Sequence, residues 1–215
     1  MKEAIQSGAR IYSKPVLFLY DFFVLQFSNS LVWKCPSKKL LDLYNQHISA
    51  NHLDIGVGTG YFLDKCTYPS RPRIALLDLN PNTLEVSAKR ICRYQPEKYQ
   101  ADILKPISVK PRFFDSIGIN YLLHCLPGDI SNKEIVFKNA KSLLNKNGVV
   151  FGSTILGDTS QANFLARKLL AIYNTKKIMS NSKDTLQDLE AVLAGNFRGY
   201  SVKQEGRVAL FSARV

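Results

Sequence analysis

From residue 52 onward the chain alternates short apolar runs with amphipathic stretches. The runs at 52–55, 73–77, 98–101, 114–119 and 149–154 predict strands, and most are apolar enough to be buried on both faces. Helical spacing fills the gaps at 61–66, 82–94 and 130–144. The second of these helices follows Pro81 and aligns Leu84, Ala88 and Ile91. The third turns Ile135, Val136, Ala140, Leu143 and Leu144 inward and is expected to stop at Asn147-Gly148. Such alternation implies a parallel sheet with helices on both faces.

The C-terminal part reads differently. A helix over 160–173 is expected to turn Phe164, Leu165, Leu169 and Ile172 to one side, and the polar stretch NTKKIMSNSKD after it is expected to be mobile. A further helix near 186–194 precedes two strand-like runs, 197–203 and 207–213, on either side of Glu205-Gly206. Strands joined that closely pair antiparallel. The expected fold class is therefore α/β, a mostly parallel sheet with an antiparallel C-terminal hairpin.

At the other end, the apolar run Val16–Phe27 carries Asp21 and Gln26 and is shorter than the ~20 residues that span a bilayer. It reads as a helical cap over 1–48 on a compact unit over 49–215, with no membrane insertion. The polar start shows no secretory signal, and four dispersed cysteines without a CxxC pair read as reduced thiols, so the chain is expected in the cytoplasm. Three histidines, none at ligand spacing, give no metal site. The formal charge of +12 is scattered rather than gathered in a tail. It fits solvated helix faces or attraction to an anionic partner.

The stretch HLDIGVGTGYF carries candidate chemistry. Gly56, Gly58 and Gly60 directly follow a strand and precede a short helix, where bare backbone lets a nucleotide-like ligand approach. A dinucleotide site asks for GxGxxG, but the last position here is Tyr61. A carboxylate followed by three alternate glycines instead suits a phosphate-free ligand with a cationic amino-acid end, which Asp54 would serve.

DIGVGTG resembles motif I of the class I S-adenosylmethionine-dependent methyltransferases, and the order of RIALLDLNPN, QADILKP, FDSIGINYLLHCLP and NGVVFGSTI agrees with that family over residues 50 to 155. The resemblance implies a Rossmann-like seven-stranded sheet with a reversed seventh strand. It also implies S-adenosyl-L-methionine as cofactor and S-adenosyl-L-homocysteine as product. It assigns Asp78, with Leu79 beside it, to the ribose hydroxyls, and Asp102 and Ile103 to the adenine. Asn120 and Tyr121 become cofactor or pocket neighbours.

For the acceptor, the segment from 11 to 47 is loosely similar to the N-terminus of ubiquinone and menaquinone C-methyltransferases. Tyr12, Tyr20 and Trp33 are candidate pocket aromatics, able to face a sulfonium. His124 is the candidate general base, since an ordinary histidine pKa suits proton removal at neutral pH; it also joins the candidate pocket. His52 is expected to point away from the site. NYLL replaces the (D/N/S)PPY of nucleic-acid amine methyltransferases, and the aromatic-rich cap favours a small hydrophobic metabolite. Methylation of RNA or protein through the basic surface, or non-catalytic cofactor binding, stand as alternatives.

Overall fold

The computed structural model describes residues 28–107, 113–158 and 163–215. Within them lie β1 (Asn51–Ile55), β2 (Arg73–Asp78), β3 (Glu97–Gln100), β4 (Phe114–Asn120), β5 (Leu144–Ile155), β6 (Gly199–Glu205) and β7 (Val208–Arg214). They form one seven-stranded sheet in the order β3-β2-β1-β4-β5-β7-β6. Neighbours from β3 through β5 pair parallel, and β7 runs antiparallel to both β5 and β6. This is the expected Rossmann-like sheet. Its order reverses between β1 and β4, and ligands in such sheets bind outside the carboxyl ends of the strands at that point.

Side chains alternate across each strand and feed two cores. Ile74, Leu76, Phe151, Val208 and Leu210 face one way, packing with α1 (Ser37–His47), α2 (Tyr61–Lys65), α3 (Pro81–Arg90) and α5 (Phe164–Thr175). Leu53, Ile55, Ala75, Ile117, Val150 and Phe211 face the other, against α4 (Glu134–Ser142) and α6 (Leu186–Asn196). Leu40, Leu43 and Tyr44 of α1 share the first core with Phe62 and Phe151, so residues 37–47 are built onto the sheet itself. The expected cap residues 1–27, with Tyr12 and Tyr20, lie outside the described residues.

Local chemistry sets the helix ends. Asn80 caps α3 by accepting the Asn82 N–H at 2.9 Å, and Pro81 sits in the first turn where no N–H is needed. The helix expected through Leu144 ends instead at Ser142, and Leu144 already pairs with Phe114. Asn147, at φ 67°, bulges the start of β5, and the register with β4 shifts between Phe114 and Ser116. Asn147-Gly148 is thus a strand bulge rather than a helix stop.

Helix α5 is rotated from its expected face, of which only Leu169 packs against the first core. It buries Ala166 and Leu170, while Phe164, Leu165 and Ile172 are 74%, 44% and 37% exposed. The start of that expected helix at 160 lies outside the described residues; Asn163 caps α5 by accepting the Ala166 N–H at 2.7 Å. The polar stretch after α5, expected to be mobile, is held in place. Asn174 and Asn181 exchange hydrogen bonds of 2.9 and 3.1 Å, and the Asn181 amide donates to the Ile155 carbonyl at 2.9 Å. Side-chain amides fasten it, which hydropathy does not register.

Candidate active site

The turn after β1 puts Gly56, Gly58 and Gly60 at φ of 74°, 53° and 72°, a region that other L-residues adopt at a cost. Each glycine answers a different need. A Cβ at Gly56 would come within 2.8 Å of Leu122 Cδ1, and one at Gly60 within 3.1 Å of the Ser87 backbone, whereas Gly58 has nothing within 4 Å. Gly58 is therefore the bare patch, open to the cavity that it lines. The Ser87 hydroxyl donates to the Gly58 carbonyl at 3.0 Å and ties the loop to α3.

That cavity lies at the carboxyl ends of β1, β2 and β4. Asp54, the 56–60 turn, Asp78, Leu79, Asn80 and Asn120 line it together with Tyr44, and Tyr121, Leu122, Cys125, Leu126 and Pro127 form a largely apolar wall. The Asp54 carboxylate is almost wholly buried, and Oδ2 accepts the Tyr44 hydroxyl at 2.7 Å. Gly118 of β4, paired with Asp54 across the ladder, makes room for it: a Cβ there would stand 2.8 Å from Oδ2. Asp78 ends β2, where Oδ1 accepts the Asn80 N–H at 2.8 Å and Oδ2 accepts the Val57 N–H at 3.1 Å. Burial raises its pKa above the usual carboxylate value, opposed by these N–H donors and the Thr83 hydroxyl. One carboxylate thus braces the glycine turn from the next strand.

Asn120 and Tyr121 line the cavity as expected. The Ser153 hydroxyl donates to Asn120 Oδ1, which leaves the amide N–H groups as donors. Tyr121 adopts φ 55°, and its hydroxyl donates to the buried Asn29 at 3.0 Å. The expected adenine contacts are not assembled around the cavity. Asp102 accepts the Leu104 N–H at 3.0 Å with Lys105 at 3.5 Å, Ile103 is buried in the second core, and neither lines the cavity. Trp33, expected in the acceptor pocket, is only 2% exposed and packs in the first core with α1.

His124 corrects the expected base. It is buried in the turn Leu123–Cys125 after β4, and Nδ1 accepts the Ile155 backbone N–H at 3.2 Å with the Thr154 hydroxyl 3.4 Å away. A backbone N–H can only donate, so the neutral ring carries its hydrogen on Nε2 and its one basic lone pair is engaged. Burial, reinforced by the nearby Lys133 cation, holds the pKa down at about 3. At neutral pH His124 is a donor, not a proton acceptor. Its depressed pKa also signs the acid branch of stability: above about pH 6.5 both folded and unfolded rings are neutral, and as pH falls toward 3 only the unfolded ring binds the proton. This costs the native state up to about 1.4 kcal/mol per pH unit in that window. Urea midpoints at pH 7 and 5 should therefore fall further apart for the native protein than for His124→Gln. An equal drop in both would show that the ring titrates normally.

Sequence reasoning also missed Tyr44, Gly118 and His52. His52 shares the face of Asp54 because the two are i and i+2 on a strand, and Nε2 comes to 3.5 Å from Asp54 Oδ2. That alternation was the available signal for His52. Tyr44 and Gly118 carry none in sequence.

A methyltransferase-domain family model matches residues 53–150. The physcion biosynthesis cluster O-methyltransferase of Aspergillus chevalieri is 39% identical over 210 residues, covering 97% of this chain and 95% of that protein. The chain belongs to the class I S-adenosylmethionine-dependent methyltransferases. Demethylluteothin O-methyltransferase of Streptomyces thioluteus is 36% identical, covering 98% of this chain and 92% of its own length. The N-methyltransferase NodS of Bradyrhizobium japonicum WM9, solved with S-adenosyl-L-homocysteine, superposes with a TM-score of 0.65 over 98% of this chain and 97% of its own, at 17% identity. This methyltransferase is therefore an enzyme that uses S-adenosyl-L-methionine, on a fold it shares with structures of far lower identity. No described helix is long and apolar enough to cross a membrane, and no described cluster of three His, Cys, Asp or Glu could hold a metal ion.

Proposed function

We propose that this methyltransferase transfers the methyl group to an acidic hydroxyl, a phenol or an enol, on a small hydrophobic metabolite. The observation that carries this reading is the apolar wall of Tyr121, Leu122, Cys125, Leu126 and Pro127, continuous with the glycine turn. The O-methyltransferase names of the full-length relatives favour oxygen over nitrogen or carbon.

The residues fit the cofactor. The open cradle at Gly58 receives its backbone-facing side, Asp78 accepts the ribose hydroxyls, and Asp54 takes the amino-acid end, while Leu79 gives the nucleoside an apolar neighbour. S-adenosyl-L-methionine supplies an already activated, electrophilic methyl group. The protein's part is alignment and the exclusion of water. Leu122, whose side chain touches the space over Gly56, and the Leu126-Pro127 pair exclude water from the acceptor end. With His124 committed as a donor, an acceptor hydroxyl acidic enough to ionise in solution needs no protein base. We also assign the enzyme to the cytoplasm, in keeping with its four cysteines, none of which forms a disulfide.

Incubating the full chain with S-adenosyl-L-methionine and a panel of phenols, enols, amines and carbon acids tests this. S-adenosyl-L-homocysteine should form with phenols and enols, and mass spectrometry should place the methyl on oxygen. Turnover confined to amines or carbon acids would overturn the assignment.

A further inference from the structure

A buried polar chain stands behind Asp54, on the side away from the cavity. Ser116 of β4 is 0% exposed, and its Oγ lies 2.8 Å from His52 Nδ1. His52, also 0% exposed, brings Nε2 to 3.5 Å from Asp54 Oδ2, the oxygen that already takes the Tyr44 hydroxyl. At the far end the Ser49 backbone N–H donates to Ser116 Oγ at 2.9 Å, and the Ser49 hydroxyl donates to the Asn51 carbonyl at 2.9 Å.

A backbone donor fixes the far end of the chain. The Ser49 N–H occupies one lone pair of Ser116 Oγ, and that oxygen lies 2.8 Å from both Ser49 Oγ and His52 Nδ1, so Ser116 fastens the His52 ring whichever of the two donates. The other ring nitrogen of His52, Nε2, faces the carboxylate. Asp54 Oδ2 accepts the Tyr44 hydroxyl, has His52 Nε2 at 3.5 Å and is walled by Gly118, while Oδ1 accepts from none of the described residues. Ser, His and Asp in this order build a nucleophile in hydrolases. Here complete burial of Ser116 denies it any substrate, and the chain ends on a carboxylate that lines a cofactor cavity.

We propose that Tyr44, His52 and Ser116 are positioning residues for methyl-donor binding: they hold the Asp54 carboxylate oriented so that Oδ1 alone meets the ammonium of the donor's amino-acid end. This rests on the reading of Asp54 as the partner of that ammonium. It extends the reading to three residues that never touch the transferred group. Tyr44 also stays protonated, and so remains a donor to Asp54, because burial and then the Asp54 charge raise its pKa well above the ordinary tyrosine value.

Two ligands that share the nucleoside separate this from a structural role. S-adenosyl-L-homocysteine carries the amino-acid end, and 5′-methylthioadenosine lacks it. By calorimetry, Tyr44→Phe, which keeps the ring packed against Phe62 and Phe151, should weaken S-adenosyl-L-homocysteine by about 10-fold or more. It should leave methylthioadenosine unchanged. His52→Gln should show the same asymmetry. In an Asp54→Asn background neither substitution should cost anything further, because the group it acts through is gone. Equal weakening of both ligands would make the chain merely structural, and an unchanged Kd for S-adenosyl-L-homocysteine would remove its role; either overturns the proposal. If Tyr44→Phe and His52→Gln show the asymmetry while Asp54→Asn alone leaves S-adenosyl-L-homocysteine binding intact, the ammonium reading of Asp54 is what fails.

Discussion

Asp78→Ala is expected to weaken S-adenosyl-L-homocysteine binding by about 100-fold or more while the far-ultraviolet circular dichroism is retained. Two effects add. The first is the loss of a carboxylate proposed to accept both ribose hydroxyls, and charge-assisted bonds of this kind are each worth about 1.5–3 kcal/mol. The second is internal, because the same carboxylate accepts the Val57 and Asn80 N–H groups at 3.1 and 2.8 Å. Without it the turn carrying Gly58 loses its brace to β2. Asp78→Asn separates the two: a side-chain amide keeps one acceptor oxygen, so its loss of affinity should fall between native and Ala. Native-like affinity in the Ala variant would remove Asp78 from the site.

Much of this site was legible in the sequence because its chemistry is local. Gly56, Gly58 and Gly60 announce positive φ and close approach within five residues, and Asp54 and Asp78 lie in the last two positions of strands whose apolar runs are plain. What stayed hidden is held by contacts distant in the chain. Tyr44 meets Asp54 across a helix–strand interface, Ser116 reaches His52 from another strand, and Gly118 matters only because β4 lies beside β1.

The same limit explains the rotated helix and the displaced base. The apolar face of α5 read as its buried side, yet Ala166 and Leu170 pack inward and Phe164 stays outside, a choice made by the surface the helix meets rather than by its own pattern. For His124, residue type and position after the fourth strand suggested a base. Its tautomer depends on Ile155, thirty-one residues later, and its low pKa on burial and on Lys133. Acid–base roles are set by environments that a linear motif does not carry.

Lys133→Met should be the most destabilising single change, by about 3–5 kcal/mol, because it breaks a buried ion pair from one side. Lys133 Nζ donates to Asp184 Oδ2 and to the Ser180 carbonyl, each at 2.7 Å, and both charged side chains are 0% exposed. Mutual attraction alone would lower the Asp184 pKa and raise that of Lys133. The shifts run the other way, with burial the largest cause for each, so desolvation outweighs the attraction. Among the described residues, the buried Asp184 Oδ1 finds no hydrogen-bond partner of full geometry. The pair is therefore an expensive fastener, and removing both charges with Lys133→Met/Asp184→Leu should recover most of the loss in urea denaturation, or exceed native stability. Its value lies in what it fastens. The Ser180 N–H donates to the His124 carbonyl at 2.8 Å, and His124 leads directly into the Cys125, Leu126 and Pro127 wall. The double variant should then be stable yet impaired toward the acceptor, raising its KM while the Kd for S-adenosyl-L-homocysteine holds. A double variant with native KM would confine the pair to folding, and a single variant as stable as the native chain would contradict the desolvation argument itself.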